Sequence, residues 1–522
     1  MNKVSKYINE HIDGTVFDRP SSMKPYSRDR SFLNVDPKFV VLPSSTEDIR
    51  VVLKFLNDLS ERGFPLPIAV RGSGLDKTGA DLSEGVVISV ERLDQVLEVD
   101  ENARMVRVQS GTTLGKLNAV LSAYGLTVPV DAPADETILD LISNYTLDNY
   151  SGKYNSIYYY TEHLEVALTS GDLIQTSSLT PKMLAKKAEA NSPTGRIYRK
   201  ISDLLANKTD MIKEIQSEPR NFGGYRMISK VEDSRGNVDL MPLFFGSNNT
   251  LGVITEIILR VEPLLRERKS VLAHFASAKS ATTFAESLNK KTPVSINIFD
   301  HNVVKNAAAL GKKISFIEPK DDGYYVFASF DDNKLVLPRK MKEIAEMKSA
   351  PKKMIVEDQK NKEDFTSLEK MLAEFLNDED AYDHPVILDD IYIPNKSSAK
   401  FLEKLVEIEE NFGRDMPVIG SPATELYSVR PVFNLSDDME KVRMFEFIKV
   451  YTRLVRDQGG SLTGGSAEGR TKGAFNFAKY TSREEKFHLS IKHAFDPNNI
   501  LNPEVKLGAS LTDVIRHLKT DK

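Results

Sequence analysis

A glycine-studded stretch, RGSGLDKTGA at residues 71–80, constrains the fold more than any other feature of this sequence. It lies between two short apolar runs, at 68–70 and 85–90, that read as strands. Such a loop can turn several backbone N–H groups inward, and this nest binds a phosphate or pyrophosphate without needing a side-chain charge. The fingerprint of a Rossmann dinucleotide site does not fit, because that motif must open a helix. A tight hairpin between the two strands is the alternative interpretation.

The residues around this loop predict an α+β module. The stretch 39–63 reads as a short strand followed by a helix, with Ser45 or Thr46 as its N-cap and Gly63 at its end. Two further strands come after the loop, and then a helix that Gly125 closes. Strands and helices in this order are typical of the α+β class.

A second region, at about 264–458, alternates amphipathic helical segments with strand-like runs such as VSINIFD and YYVFASF. This alternation predicts an antiparallel sheet with helices on one face. At 522 residues the whole chain is too long for one core, and two or three domains are expected.

Composition excludes several classes of protein. The net charge of −5 gives no electrostatic reason to expect nucleic acid. No apolar run approaches membrane-spanning length, which leaves contact with a membrane surface open. There is no cysteine, so a disulfide, a thiolate-bound cluster and a cysteinyl cofactor link are all excluded. The first residues lack the apolar core of a signal peptide, and a cytoplasmic location is expected.

Several pieces of the chain together resemble a known family. They are FVVLPSSTEDI, RGSGLDKTGA, LEVDENARMVRVQSGTTLGKLNAVLSAYGLTVPVD, FFGSNNTLGVITEIILRVEP and, near the end, HAFDPNNILNP. In order and spacing they resemble the vanillyl-alcohol oxidase/p-cresol methylhydroxylase superfamily, and within it the D-lactate, glycolate and D-2-hydroxyglutarate dehydrogenases. The resemblance implies an α+β fold with a two-subdomain, PCMH-type FAD-binding domain and an α+β cap domain built on an antiparallel sheet. The limits it implies are 1–35 for an N-terminal extension, 36–262 for the FAD-binding domain, 263–458 for the cap and 459–522 for a segment returning to the FAD site.

The resemblance also implies a cofactor, FAD, held without a covalent bond. Members with a histidyl flavin link in the glycine loop carry His where Leu75 stands here. By position, the cofactor contacts fall on Gly72, Ser73, Gly74, Leu75, Asp76, Gly79, Pro129, Thr137, Ile254 and Asn502. Beside the flavin ring, Leu139 and Asp140 replace two glycines of the relatives. The tyrosines at 158–160 either stack on flavin or substrate, or belong to a strand and its neighbours.

The metal-site motifs of the metal-dependent relatives are absent. Ser421 and Ser428 stand where a histidine pair is expected before the retained Arg430 and Pro431. In GGSAEGR, Gly465 replaces a glutamate and Ser466 a histidine. A hydroxyl is a poor transition-metal ligand beside imidazole or carboxylate, so no metal is expected.

Three residues are the candidates for catalysis, namely Arg430, Arg470 and Ser466. Arg430 is expected either to pair with a substrate carboxylate, because guanidinium matches that geometry, or to be a surface arginine of a strand. Arg470 is a candidate to hold an anionic group or the flavin, and no general base is identified. Among the histidines, His163 is expected to be structural and His384 to lie in a loop.

The implied function is oxidation of a small 2-hydroxy acid or other alcohol, with hydride transfer to FAD and removal of the hydroxyl proton by a base. The expected partners are a small-molecule substrate and an electron acceptor that the sequence does not identify. A sugar or polyol oxidoreductase is a further interpretation. A different class remains open, namely a flavin-binding or flavin-free homologue that acts as a binding or complex subunit.

Overall fold

The structure of the protein is a computed structural model, which describes residues 3–217, 220–264, 267–312, 315–318, 322–347, 351–377, 386–475 and 480–519. His384 lies outside the described residues. The described helices and strands fall into two mixed regions with a C-terminal segment, and this confirms the α+β class. No described helix is both long and apolar enough to cross a bilayer.

The N-terminal region contains eleven strands and ten helices among the described residues. The strands are β1 (Thr15–Phe17), β2 (Phe39–Leu42), β3 (Ile68–Arg71), β4 (Val86–Ser89), β5 (Val96–Asp100), β6 (Met105–Gln109), β7 (Leu126–Thr127), β8 (Thr161–Ala167), β9 (Leu173–Gln175), β10 (Val253–Arg260) and β11 (Glu262–Pro263). The helices are α1 (Lys3–His11), α2 (Pro20–Met23), α3 (Thr46–Glu61), α4 (Leu114–Ser122), α5 (Ile138–Ser143), α6 (Ser151–Tyr154), α7 (Ile157–Tyr160), α8 (Pro181–Glu189), α9 (Pro193–Asn207) and α10 (Thr209–Ser217).

Two sheets form the frame of this region. The first has the order β1-β2-β4-β3, with β4 parallel to both β2 and β3. The second has the order β5-β6-β10-β8-β9 and is antiparallel throughout. β7 and β11 pair separately. This arrangement gives the two subdomains that the resemblance implies.

The start and end of α3, the helix that precedes β3 and the glycine loop, are determined by residues near its own ends. The Ser45 hydroxyl accepts a hydrogen bond from the Asp48 N–H at the start of α3, as the sequence predicts. Ile49, Val52 and Leu56 lie on one face of α3 and are fully buried. The helix ends just before Gly63, which has a φ of 85°. The strand, helix, strand order of this stretch is therefore confirmed.

The glycine loop is not a hairpin. β3 and β4 are parallel neighbours, so the chain must travel back along the sheet between them. Parallel strands need a crossover of a dozen or more residues, and residues 72–85 provide it. The hairpin interpretation is therefore wrong, and the loop lies beyond the carboxyl end of β3.

The second region is built on one seven-stranded antiparallel sheet with the order β15-β12-β14-β13-β17-β18-β16. Its strands are β12 (Arg268–Phe275), β13 (Ser295–Asp300), β14 (Tyr324–Asp331), β15 (Lys353–Val356), β16 (Ile391–Tyr392), β17 (Val418–Ser421) and β18 (Leu426–Val429). The helices are α11 (Ala278–Asn289), α12 (His301–Ala309), α13 (Val336–Ala345), α14 (Lys362–Asn377), α15 (Asn395–Phe412) and α16 (Asp438–Asp457).

Helices cover both faces of this sheet, and the prediction of helices on one face is wrong. α11, α13, α15 and α16 share a core with side chains such as Ile296, Ile298 and Val326. α12 and α14 pack against the opposite face, with Phe299 and Phe327. Successive strand residues point to opposite faces, so an apolar strand such as β13 can pack helices on both sides.

The C-terminal segment contains α17 (Thr471–Phe475), α18 (Ser482–Phe495) and α19 (Leu511–Arg516), and it returns to the first sheet. Ile68 of β3 donates its N–H to the Ile500 carbonyl and accepts from the Asn502 N–H. The domain limits stay predictions, although these contacts are compatible with a segment that rejoins the N-terminal region.

The buried Lys492 side chain holds the C-terminal segment against the N-terminal region. The Lys492 Nζ donates to Asp496 Oδ2 at 2.6 Å, to the Thr250 carbonyl at 2.7 Å and to the Leu501 carbonyl at 2.6 Å. The Asp496 carboxylate in turn accepts from the N–H groups of Ile500 and Leu501. Because both charges are buried, each depends on the other for its stability.

We expect Lys492→Met to lower the free energy of unfolding by about 3–5 kcal/mol, since it leaves the Asp496 carboxylate buried without its cation. Urea unfolding monitored by circular dichroism measures this loss. Lys486→Met, an exposed position of the same helix, is the control and should change stability by less than about 0.5 kcal/mol. Equal effects of the two substitutions would contradict the role given to Lys492.

Candidate functional site

The glycine loop opens onto a central cavity of about 1130 Å³. Gly74, Leu75 and Asp76 form one part of its wall. Both regions of the fold contribute to the rest, including Asp29, Glu136, Asn144 and Asp148 from the first and Ser295, Asn297, Asp390, Ser421 and Ser428 from the second. A cavity of this size between two domains is where a small-molecule site is expected.

The loop itself is tightly bent around a buried arginine. Gly74 and Gly79 both have a φ of 78°, a conformation that glycine adopts without strain. A Cβ atom on Gly74 would collide with the Arg71 guanidinium, which donates to the carbonyls of Arg28 and Pro25. The loop therefore has the left-handed glycine geometry expected of a nest.

The inner part of this nest holds a carboxylate of the chain itself. Asp140 Oδ2 accepts from the Ser73 N–H at 2.8 Å, the Ser73 hydroxyl at 2.7 Å and the Thr137 hydroxyl at 2.8 Å. A Cβ atom on Gly72 would collide with the same carboxylate. Asp140 is 1% exposed and does not line the cavity. The loop thus binds an anion, and that anion is Asp140.

A second carboxylate closes the loop from within. Asp76 Oδ2 accepts from the N–H groups of Thr78 at 2.9 Å and Ala80 at 2.8 Å. Burial raises the pKa of Asp76, and the charge of Asp140 raises it further. Burial and the Asp140 charge likewise raise the pKa of the neighbouring Asp81. Several carboxylates therefore surround the loop at short range.

The remaining residues assigned to the cofactor fall into two groups. Thr137 is the N-cap of α5 beside the loop, and Asn502 donates its Nδ2 to the carbonyls of Ala80 and Asn248. Ile254 is buried in β10 opposite Val166, and Pro129 is buried after β7. The structure brings Thr137 and Asn502 to the loop, whereas the cavity does not reach Ile254.

These residues suit FAD in type and differ from its needs in one position. Small residues and inward N–H groups suit a pyrophosphate. The Ser73 donors, however, are taken by Asp140, and the cavity stops short of Thr137, Asp140 and Ile254. A pyrophosphate and the Asp140 carboxylate cannot occupy this part of the nest together. The types of residue in the loop fit the cofactor, but the position of the Asp140 side chain does not.

The two candidate arginines are both engaged in buried ion pairs. Arg430 donates to Asp389 Oδ2 at 2.5 Å and to the Leu376 carbonyl at 2.7 Å, and its side chain is 3% exposed. Arg470 donates to Asp513 at 2.6 Å and Glu504 at 3.0 Å, and its backbone N–H bonds the Thr78 carbonyl. Each guanidinium therefore has carboxylate partners within the chain, and Arg430 does not line the cavity.

Ser466 lines the cavity and accepts a hydrogen bond from Lys472 Nζ at 2.7 Å. Burial lowers the pKa of Lys472. The hydroxyls of Ser421 and Ser428 lie in the wall that the second region provides. Among the residues described here, no group of three or more His, Asp or Glu side chains has a metal-binding arrangement.

The tyrosines of α7 do not line the central cavity. Tyr158 packs edge-on against Phe245 and Tyr145, and Tyr160 donates its hydroxyl to the Tyr154 carbonyl. Tyr158 and Tyr159 line a smaller cleft of about 260 Å³. These residues form a short helix rather than a strand, and their stacking on flavin or substrate stays a prediction.

Three acidic residues in the cavity wall were not identified from the sequence. Burial raises the pKa of Asp148 to about 7 and that of Glu136 to about 8. It also raises the pKa of Asp29, with the Asp76 charge adding to the shift. A sequence gives no signal that distinguishes these carboxylates from exposed ones, because the shift arises from burial in the assembled wall.

Comparison with known families agrees with this architecture. Residues 37–177 match the model of the FAD binding domain, and residues 264–505 match that of the FAD linked oxidases, C-terminal domain. The chain therefore belongs to the FAD-linked oxidases, and both matched domains indicate FAD as the cofactor. Nothing in these matches indicates a covalent flavin link.

Individual relatives are similar at low identity. D-2-hydroxyglutarate dehydrogenase of Pantoea ananatis is 22% identical over 91% of this chain and 48% of its own length. D-lactate dehydrogenase of Archaeoglobus fulgidus is 24% identical over 89% of this chain and 90% of its own. The chain thus spans about half the length of the D-2-hydroxyglutarate dehydrogenases that it matches. In fold it is similar to 4-ethylphenol oxidase from Gulosibacter chungangensis, with a TM-score of 0.69, 15% identity and 97% of each chain covered.

We expect Arg430→Met to lower the free energy of unfolding by about 3–5 kcal/mol, because the buried Asp389 carboxylate then loses its closest cation, at 2.5 Å, and keeps the more distant Lys77 at 3.3 Å. The double variant Arg430→Met, Asp389→Leu removes both charges and should recover most of that loss. Urea unfolding of the three proteins measures the effect. Parental stability of Arg430→Met, together with a raised KM for a carboxylate substrate, would instead assign the arginine to substrate binding.

Proposed function

We propose that the chain is an FAD-linked oxidoreductase that oxidises an uncharged, hydroxyl-rich alcohol in the central cavity. The observation that carries this proposal is the chemistry of the cavity wall. Serine and asparagine side chains from both regions face the cavity, among them Ser295, Asn297 and Ser428. Such groups donate and accept hydrogen bonds, as the hydroxyls of a polyol or sugar require. FAD, when bound, supplies the acceptor for a hydride from the carbon that bears the hydroxyl.

Acidic side chains outnumber basic ones in the cavity wall, which favours a substrate without a carboxylate even though Arg28, Arg30, Lys77, Lys370 and Lys519 also lie there. Asp29, Glu136 and Asp148 lie in the wall, and Arg430 and Arg470 already hold carboxylates of the chain. A further carboxylate would meet repulsion from these acids when they are ionised. Neutral hydroxyl groups carry no such cost and can bond to the same oxygens.

A second candidate substrate is a small 2-hydroxy acid, which the names of the D-lactate and D-2-hydroxyglutarate relatives favour. Lys77 and Arg30 in the cavity wall would be its cationic partners. Lys77 Nζ lies 3.3 Å from Asp389 Oδ2, so this lysine would be shared between the substrate and Asp389.

A different class of function, that of a flavin-free binding subunit, is favoured by the position of Asp140. In that case the cavity would bind the same hydroxyl-rich ligand without oxidising it. Reduction of bound flavin by any substrate separates the enzyme from this alternative.

Asp148 is the residue that we assign as the proton acceptor. It lines the cavity, and its carboxylate is oriented by the Tyr150 N–H at 2.8 Å and the Ser151 hydroxyl at 3.2 Å. Burial raises its pKa to about 7, so near neutral pH it is available in both protonation states. A general base works best when its pKa lies near the working pH.

The substrate class is tested on protein saturated with FAD under anaerobic conditions. We expect glycerol or sorbitol to bleach the flavin absorbance faster than D-lactate, glycolate or D-2-hydroxyglutarate do. Faster bleaching by the hydroxy acids would replace the first substrate class by the second. If none of these compounds reduces the flavin while the cavity binds a polyol by calorimetry, the enzyme proposal fails and the binding subunit stands.

For Asp148, flavin reduction should accelerate as the pH rises through about 7 and level off above it, because only the deprotonated carboxylate accepts the proton. Asp148→Asn should slow this step by about 100-fold or more and abolish the rise with pH. Stopped-flow reduction across pH 5.5–8.5, a range spanning about 1.5 units on either side of that pKa, provides the profile. Asp135→Asn, an exposed neighbour, is the control. A pH profile that Asp148→Asn leaves unchanged would remove Asp148 from the mechanism.

A further inference from the structure

Four residues of the glycine loop, Ser73, Leu75, Thr78 and Ala80, donate hydrogen bonds to oxygens of the chain itself. The Ser73 N–H and hydroxyl bond Asp140, and the N–H groups of Thr78 and Ala80 bond Asp76. The Leu75 N–H bonds the Ser73 hydroxyl at 3.3 Å. A phosphate entering from the cavity therefore finds these donors already engaged.

Asp140 also fills the space that an anion on Ser73 would need. Gly72 has no side chain, and its backbone packs directly against the Asp140 carboxylate. The other oxygen of this carboxylate, Oδ1, is buried and accepts no hydrogen bond from the described residues. One oxygen thus receives three donors while its partner oxygen receives none, an arrangement in which the buried charge is only partly compensated.

The surrounding charge opposes a second anion. Asp76, Asp81 and Glu136 all have pKa values that the Asp140 charge helps to raise, which shows that these groups lie within electrostatic range. A pyrophosphate would add at least one more negative charge to this cluster. Because buried like charges repel strongly, the two anions exclude each other.

We propose that the Asp140 side chain is an internal competitor for FAD, occupying the place of the pyrophosphate on Ser73. FAD loads only when this carboxylate leaves the nest, so the affinity of the native chain for FAD is low. The inference rests on FAD as the cofactor of the matched domains and is independent of the substrate proposed above.

The test compares FAD binding by the native chain, Asp140→Gly and Asp140→Asn, with Asp135→Gly as a control that removes one exposed carboxylate from the same segment. Quenching of flavin fluorescence gives Kd, and thermal unfolding verifies that each variant folds. Asp140→Gly removes both the charge and the obstruction, and it should tighten FAD binding by about 100-fold or more. Asp140→Asn removes only the charge and should give a gain of about tenfold, whereas Asp135→Gly should leave Kd unchanged.

Three results would overturn the proposal. The first is a native protein that retains stoichiometric FAD through dialysis and gains nothing from Asp140→Gly. The second is a folded Asp140→Asn variant that binds FAD no better than the native chain does. The third is failure of inorganic pyrophosphate to displace FAD from Asp140→Gly, since a liberated nest that binds phosphate groups should also bind this competitor.

These results are separable from the fate of the enzyme proposal. Tight FAD binding by Asp140→Gly with no reduction by any alcohol retains the internal competitor and rejects the oxidoreductase. Tight FAD binding by the native chain, with rapid reduction of the flavin by an alcohol, would reject the internal competitor and retain the oxidoreductase.

Discussion

The buried ammonium of Lys492 is the interaction on which the N-terminal region depends. It joins the Asp496 carboxylate to the carbonyls of Thr250 and Leu501, which belong to segments far apart in the sequence. Through this contact α18 and the residues after it are held beside the edge strand β3. Because β3 leads directly into the glycine loop, the position of the nest follows from a charge that the fold has fully enclosed.

The nest shows how one substitution changes what an otherwise suitable site can hold. Its glycines keep the backbone geometry of an anion site, and the N–H groups of Ser73, Thr78 and Ala80 bond carboxylates. The carboxylate of Asp140 satisfies the Ser73 donors better than water could, because it reaches them from a fixed helix. Membership of the FAD-linked oxidases therefore indicates FAD as the cofactor. In our proposal, the Asp140 carboxylate competes with FAD for the nest.

The cavity is a product of both regions. The seven-stranded sheet has helices on each face, yet part of it stays open toward the glycine loop, where Ser295 and Asn297 line the space. Carboxylates such as Asp148 enter from the opposite wall, and enclosure raises their pKa values toward neutrality. Hydroxyl and amide groups on one side of the cavity and acids with raised pKa values on the other are the basis for proposing an alcohol as the substrate.

The sequence by itself determined the local elements, because caps, glycine turns and apolar periodicity act over a few residues, and the order and spacing of its motifs carried the resemblance to the family. The Ser45 cap and the turn at Gly63 are examples. Only the tertiary structure decided which charges meet. Ser73 and Asp140 are 67 residues apart, and Arg430 and Asp389 are 41 apart. A side chain's partner and its pKa depend on what long-range packing places beside it, and no local pattern records that.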